Sequence, residues 1–181
     1  MADTIRDRAD ILALFADNTS GDISEQDLRD YVVSSWGVYG QLSIIDNSSY
    51  TQSSLATSPS WTTLLHCDTS TANGVTAVAT QSTTNTLTCA TGGAGVYFIW
   101  FVACFTGSSN ATYLIKLFNN AVATGFQCER KIGTGTDVGN TDFHGIITLA
   151  EADVLDVRAQ ADAASKSITV QSGQFGIMRI K

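Results

Sequence analysis

The spacing of apolar residues divides the chain into two regions. Up to residue 37, apolar side chains recur every three or four positions, which is the spacing of one face of an α-helix. From Trp61 onward, short runs of β-branched and aromatic residues are separated by turn-forming residues, as in strands. The pattern predicts a helical segment over residues 1–37 and a β domain over residues 61–181.

The stretch from residue 21 to residue 37, GDISEQDLRDYVVSSWG, carries signals for both ends of a helix. Ser24 is placed to be the N-cap, with Asp27 three residues later as the acidic partner of a capping box. Gly37 is placed to end the helix. A helix of about three turns is too short to be stable alone, so its apolar stripe predicts docking on a partner surface. We expect the docking residues to be Ile23, Leu28, Arg29, Val32 and Trp36.

Residues 38–60 have a different composition from their neighbours. They are rich in Ser, Thr and Asn and include Pro59, the one proline of the chain. This composition favours extended, turn-prone chain over helix. It predicts a linker arm between the helical anchor and the β domain.

The β domain reads as about ten short strands with no helix between them, which favours an antiparallel sandwich or barrel. The predicted strands are WTTLLH, VTAVAT, NTLTCA, GVYFIWFVACF, TYLIKLF, ATGFQCER, FHGIITL, DVLDVRA, KSITVQ and QFGIMRI.

The strand GVYFIWFVACF, residues 95–105, is apolar on both of its alternating faces. In an antiparallel sandwich one face of a strand is usually solvated, so the second apolar face needs a cover. That cover is either another copy of the chain or a loop or helix of the same chain. Self-association is the more economical explanation, since exposed aromatic patches usually mark interfaces. The pattern does not distinguish the two faces; we assign the interface to Tyr97, Ile99, Phe101 and Phe105.

Composition and charge narrow the class of protein. The chain has 181 residues, 44% apolar and 15% charged, which is typical of a globular domain. Its net charge of −7 and ten scattered Lys and Arg residues argue against nucleic-acid binding. There is no signal peptide pattern at the N-terminus and no apolar run long enough to cross a bilayer as a helix. We therefore expect a protein that is assembled in a cytoplasm and binds neither nucleic acid nor membrane.

Residues able to carry chemistry are few and dispersed. Asp142 and His144 with a serine would make a hydrolytic triad, but the sequence has no nucleophile-elbow motif. Metal binding by His66 with Cys67, or by Asp137 with Asp142 and His144, would need ligands from elsewhere. The four cysteines form no C-x-x-C pair and are expected to be reduced and structural. We expect no enzymatic activity, no metal and no cofactor.

The second half of the chain resembles the trimeric jelly-roll domains of the C1q and tumour-necrosis-factor-like family. The resemblance rests on GAGVYFIWFVACF, TYLIKLFNNAVA, GIITLAEADVLDVRAQA and QFGIMRIK. Leu149, Glu151 and Asp153 match the family's turn before a late strand, although Ala152 stands where glycine is usual. The resemblance implies a mainly β, antiparallel jelly-roll sandwich with a short α-helical N-terminal segment, assembled as a homotrimer.

The N-terminal stretch ILALFADNTSGDISEQDLRDYVVSSWG resembles a helical segment of tailed-phage virion proteins. There, such a segment precedes a trimeric β domain. This resemblance implies a virion location and a capsid decoration or cement protein that docks on the major capsid protein or another virion protein. The alternative that it implies is a tail-fibre or receptor-binding protein that recognises a host surface glycan. The matching residues are Ile23, Ser24, Gln26, Asp27, Leu28, Arg29, Asp30 and Val32.

Overall fold

The computed structural model shows a β-sandwich preceded by a short helix, α1 (Glu25–Ser35). The residues that the structure describes are 10–11, 13, 23–35, 37–44, 50–64, 67–80, 84–133 and 137–181. The strands after α1 are β1 (Tyr39–Ser43), β2 (Tyr50–Gln52), β3 (Thr62–Thr63), β4 (Thr69–Asn73), β5 (Val75–Ala79), β6 (Asn85–Cys89), β7 (Gly95–Gly107), β8 (Ala111–Asn119), β9 (Val122–Ile132), β10 (Gly139–Leu149), β11 (Val154–Ala161) and β12 (Ile168–Arg179). None of the helices in these ranges is both long enough and apolar enough to span a bilayer.

The strands form two antiparallel sheets. Sheet I has the order β10-β7-β12-β1-β4, and β2 also pairs with β12. Sheet II has the order β5-β6-β11-β8-β9, and β3 also pairs with β11. From β7 onward each connection except the β8–β9 hairpin passes between the sheets, as in a jelly roll. The predicted fold class, a mainly β antiparallel sandwich with a short helix, is confirmed.

The core lies between the two sheets and follows from the alternation of side chains along each strand. On β8 the inward positions Tyr113, Ile115 and Leu117 are fully buried, and the side chains between them face outward. Sheet I contributes Phe101 and Phe175, which pair across β7 and β12. Each such side chain stabilises the fold by about 1.5–3 kcal/mol through removal of its apolar surface from water.

The predicted linker arm over residues 38–60 is wrong, because this segment belongs to the sandwich. β1 lies between β12 and β4 inside sheet I, where Leu42 is fully buried. Leu55 is also buried and its N–H donates to the carbonyl of Lys166 over 2.9 Å. Strand pairing and burial outweigh the local turn preference of Ser and Thr. The sandwich therefore begins at residue 38 and not at residue 61.

The two predicted strands KSITVQ and QFGIMRI are one continuous strand, β12. Its register against β7 shifts by one residue, from Val170 opposite Phe105 to Ser172 opposite Cys104. A β-bulge of this kind absorbs an extra residue without ending the strand. The Ser-Gly pair that resembles a turn in the sequence therefore lies within the strand.

Candidate interaction surfaces

The outer face of sheet I carries an apolar row that crosses four strands. Phe98 on β7 is opposite Ile146 on β10 and Met178 on β12, and Met178 is opposite Tyr39 on β1. Ile146 is 61% exposed and Met178 is 46% exposed. We call this surface the apolar face, and it consists of Tyr39, Phe98, Trp100, Val102, Ile146 and Met178.

Trp100 forms the second row of the apolar face. It lies between His144 on β10 and Gly176 on β12. A Cβ atom on Gly176 would overlap the six-membered ring of Trp100, so the missing side chain lets the indole lie flat on the sheet. Phe98 stacks beside it with ring centroids 6.1 Å apart. The two rings make a continuous aromatic surface in contact with solvent.

The four residues that the sequence assigned to the interface lie in the core instead, and that assignment is wrong. Tyr97, Ile99, Phe101 and Phe105 are at most 1% exposed within a single chain. Phe101 stacks on Phe143 of β10 at 5.0 Å, so its ring has no surface left for a second copy. The other set of alternating residues on β7 is the one that remains at the surface.

The start of α1 has the predicted capping box. The backbone N–H of Ser24 donates to Asp27 Oδ2 over 2.9 Å, and the N–H of Asp27 donates to Ser24 Oγ over 3.2 Å. Two backbone donors of the first turn are thereby satisfied. Gly37, just beyond the helix, has φ +71°, a left-handed conformation that glycine adopts without strain.

The apolar stripe of α1 is about half exposed. Leu28 is 53% exposed and Val32 is 45% exposed, and Ile23 and Tyr31 are exposed beside them. Asp30, in contrast, is 1% exposed and accepts a hydrogen bond from Gln26 Nε2 over 2.7 Å. The helix therefore buries a polar edge and presents its apolar stripe outward.

The other two predicted docking residues are Arg29 and Trp36. Arg29 donates to Gln26 Oε1 over 2.9 Å and lies 3.9 Å from Glu25 Oε2, so it interacts along the helix surface. Trp36 lies outside the described residues.

The Asp142 and His144 pair is on the outer face of β10 beside the apolar face. His144 Nδ1 is 3.7 Å from Asp142 Oδ2, and both side chains are well exposed to solvent. Such a pair lacks the desolvation that gives a catalytic dyad its strength. His66 lies outside the described residues, and within those residues no three His, Cys, Asp or Glu side chains gather as metal ligands.

All four cysteines are free thiols. Burial raises the pKa of Cys67 and Cys89, and it raises the pKa of Cys128 to about 11. These thiols are therefore protonated and poorly nucleophilic at neutral pH. Cys104 is partly exposed on the outer side of β7, next to the apolar face.

Asp153 organises the turn between β10 and β11. Its carboxylate accepts hydrogen bonds from the backbone N–H of Ala150 and from the side-chain amides of Asn119 and Asn120, at 2.7–3.1 Å. Burial by itself would raise the pKa of Asp153, but these three donors outweigh it and hold the pKa below its usual range. Ala152 in the same turn has φ +65°, which explains why glycine is usual at this position in the family that the sequence resembles.

Stability is expected to depend on the charge of Asp153. Because the folded pKa is lowered, its contribution is complete above the unfolded pKa of about 3.9 and is lost as the pH falls through the folded pKa. We expect Asp153→Ala to lower the free energy of unfolding at neutral pH by about 1–3 kcal/mol. Denaturant titrations near neutral and acidic pH would measure this. On acidification, Asp153→Asn should lose less free energy of unfolding than the parent does. Glu129→Gln, at an exposed carboxylate of β9, should lose as much as the parent.

The fold can be compared with known proteins. No protein-family model matches the chain, and no curated protein is detectably similar to it in sequence. Solved structures do match. Eiger TNF from S. frugiperda superposes with a TM-score of 0.55 at 12% identity, over 80% of this chain and 93% of that chain. The globular domain of the zebrafish complement 1qA protein gives a TM-score of 0.52 at 11% identity, over 80% of this chain and 98% of that one.

Murine APRIL at pH 8.0 gives a TM-score of 0.50 at 12% identity, over 80% of this chain and 99% of that chain. At such low identity the shared property is the arrangement of the strands. The chain therefore has the TNF/C1q-like jelly-roll fold.

Proposed function

We propose that the protein is a non-enzymatic structural component of a phage virion, a capsid decoration protein. In this proposal three copies associate through the apolar face, and α1 of each copy docks on the major capsid protein or another protein of the virion surface. The observation that carries the proposal is the presence of two separate exposed apolar surfaces, one on the sheet and one on the helix.

Self-association accounts for the apolar face. Aromatic residues and methionine are enriched in the buried centre of protein interfaces, and Phe98, Trp100 and Met178 lie together on one sheet. Apolar patches that extend across four strands are rare on the solvated surfaces of monomers. A homotrimer is the assembly of the C1q and TNF-like domains that the sequence resembles.

Docking accounts for the apolar stripe of α1. The alternative partner was the β domain of the same chain, but Leu28 and Val32 remain exposed in its presence. A three-turn helix gains most of its stability from packing, so an exposed stripe favours a partner outside the chain. The resemblance of this segment to virion proteins favours a protein of the virion surface as that partner.

Deletion of residues 1–37 tests whether docking on the virion and self-association belong to separate parts of the chain. The deleted protein is expected to form the same oligomer with a similar melting temperature, because the sandwich begins at residue 38. It should no longer co-sediment with purified phage heads. Binding would be measured by co-sedimentation, and oligomeric state by sedimentation velocity.

A double variant, Leu28→Asp with Val32→Asp, provides a test without deletion. Both positions are exposed, so the substitutions cost the folded chain little, yet they place charges on the docking stripe. Val122→Asp, at the exposed first residue of β9 in sheet II, is the matched control. If the double variant binds heads as well as the control does, docking by α1 is excluded.

A further inference from the structure

The outer face of sheet II contains a cavity of about 520 Å³, on the side of the sandwich opposite the apolar face. Its volume lies within the range of about 300–1,000 Å³ that is typical of small-molecule sites. Association through sheet I would leave this cavity open to solvent. It is a candidate site independent of the proposed assembly and of α1.

The paired strands β9, β8 and β11 form the floor of the cavity. Leu114 on β8 is opposite Glu129 on β9 and Gln160 on β11, so the three side chains form one row across the sheet. Residues directly opposite in such a row have Cβ atoms about 5 Å apart. The floor is therefore built on regular strands, which hold side chains more rigidly than loops do.

Two loop segments form the walls. Thr57 makes a parallel bridge with Ala161, and the N–H of Ala161 donates to the carbonyl of Ala56 over 3.0 Å. On the other wall, Asp162 makes two hydrogen bonds with Thr112 of β8, one as donor and one as acceptor. Its N–H donates to the carbonyl of Thr112 over 3.0 Å, and its Oδ2 accepts from the N–H of Thr112 over 2.9 Å. The cavity is thus held open without a ligand.

The polar groups of the cavity are mostly hydrogen-bond acceptors or hydroxyl groups. Glu129 and Asp162 supply carboxylates, and one Asp162 oxygen is already engaged by Thr112. Among the described residues that line the cavity there is no Lys or Arg, so an anionic ligand would be repelled. Lys131 lies opposite Thr112 on β9 and lowers the net negative charge beside the cavity, so a neutral ligand is compatible with the site as well as a cation.

Gln160 adds an unsatisfied group to the floor. Its Oε1 is buried and has no hydrogen-bond partner in the structure. An unpaired buried acceptor costs about 1–3 kcal/mol. Rotation of the amide group about its last torsion would present either its oxygen or its nitrogen to a bound hydroxyl group.

The remaining lining is small and apolar. Leu114, Ala161, Ala163 and Ala164 leave a smooth surface beside the acceptors. A sugar ring has the matching character, with C–H groups on its faces and hydroxyl groups around its edge. Each hydroxyl group can donate to a carboxylate or amide oxygen and accept from a threonine or serine hydroxyl.

We infer that this cavity binds a neutral saccharide unit, with Glu129, Asp162 and Gln160 bonded to ring hydroxyl groups. The C–H face of the sugar ring packs on Leu114. Saturation-transfer difference NMR of the full-length protein with glucose, galactose, mannose, rhamnose and N-acetylglucosamine, each at about 10 mM, tests this. A single-sugar site with a Kd of about 1 mM is well filled at that concentration. At least one sugar is expected to give signals from its ring protons.

Two variants locate the site. Glu129→Ala removes a carboxylate at an exposed position, and Ala163→Trp fills the cavity from an exposed position, so neither change disturbs the core. Glu129→Ala is expected to weaken binding about tenfold, the loss that follows from removing a charge-assisted hydrogen bond, measured by titration of the signal with sugar concentration. Ala163→Trp is expected to abolish the signals, because its indole occupies the volume that the sugar ring needs. Gln127→Ala is the matched control. It lies two residues from Glu129 on β9 and outside the cavity, and it should bind as the parent does.

The inference is overturned if no sugar gives a signal, or if the signals persist in Ala163→Trp. It is also overturned if N-acetyl-lysine methylamide, a free ammonium probe, binds in place of the sugars and its binding is lost in Glu129→Ala. None of these outcomes bears on association through the apolar face, which is measured separately by sedimentation.

Discussion

Replacing Ile146 or Met178 by aspartate is expected to convert the assembled protein into monomers while each chain stays folded. Both side chains are largely exposed in the single chain, so a carboxylate there remains solvated before assembly. In the assembly the same carboxylate would be buried against another copy without a partner. Truncating a central interface residue costs about 2 kcal/mol or more, and a trimer has the change in every interface.

Sedimentation velocity of the parent and the variants measures this effect. Val122→Asp is the matched control, because Val122 is 69% exposed and begins β9 in sheet II, away from the apolar face. The control should stay assembled. A parent protein that sediments as a monomer at micromolar concentration would contradict the proposed trimer. Variants that remain trimers would exclude the apolar face as the interface.

Phe101→Ala is expected to have the largest effect on the stability of the single chain. Phe101 is 1% exposed, is opposite Phe175 on β12 and stacks on Phe143 of β10, so its removal leaves a cavity at the centre of the core. Such truncations cost about 3–5 kcal/mol. Denaturant unfolding followed by circular dichroism would measure the loss, under conditions in which the chain is monomeric.

Phe98→Ala is the matched comparison on the same strand. Its side chain faces outward and is partly exposed, so it should destabilise the monomer less than Phe101→Ala and weaken association more. The reverse order would mean that the two faces of β7 have been assigned the wrong way round. The pair therefore tests the division between core and interface along a single strand.

The limits of prediction from sequence are seen most clearly on β7. Alternation of apolar residues correctly indicates a strand with two apolar faces. It cannot show which face meets sheet II, because both sets of side chains are equally apolar. That choice depends on the position of β8 and β11, which belong to a different part of the chain. The interface residues were consequently assigned to the buried face.

Local signals were more reliable than long-range ones. The capping box at Ser24 and Asp27 depends only on neighbouring residues and is present as predicted. β1 was missed because its five residues, YGQLS, have little strand preference of their own and are held by pairing with β4 and β12. The cavity on sheet II could not be predicted either, since Thr57, Glu129 and Gln160 meet only through the fold.

The position of β12 also has a consequence for how the chain is made. This strand pairs with β7, β1 and β2, and it follows all three in the sequence by more than sixty residues. Sheet I therefore cannot close on a ribosome until residues 168–179 have left the exit tunnel. Until then one edge of β7 is without its partner strand, and contacts so distant in sequence form slowly. Nascent chains of this protein spend the whole of that interval with one edge of their most apolar strand open to pairing with another chain.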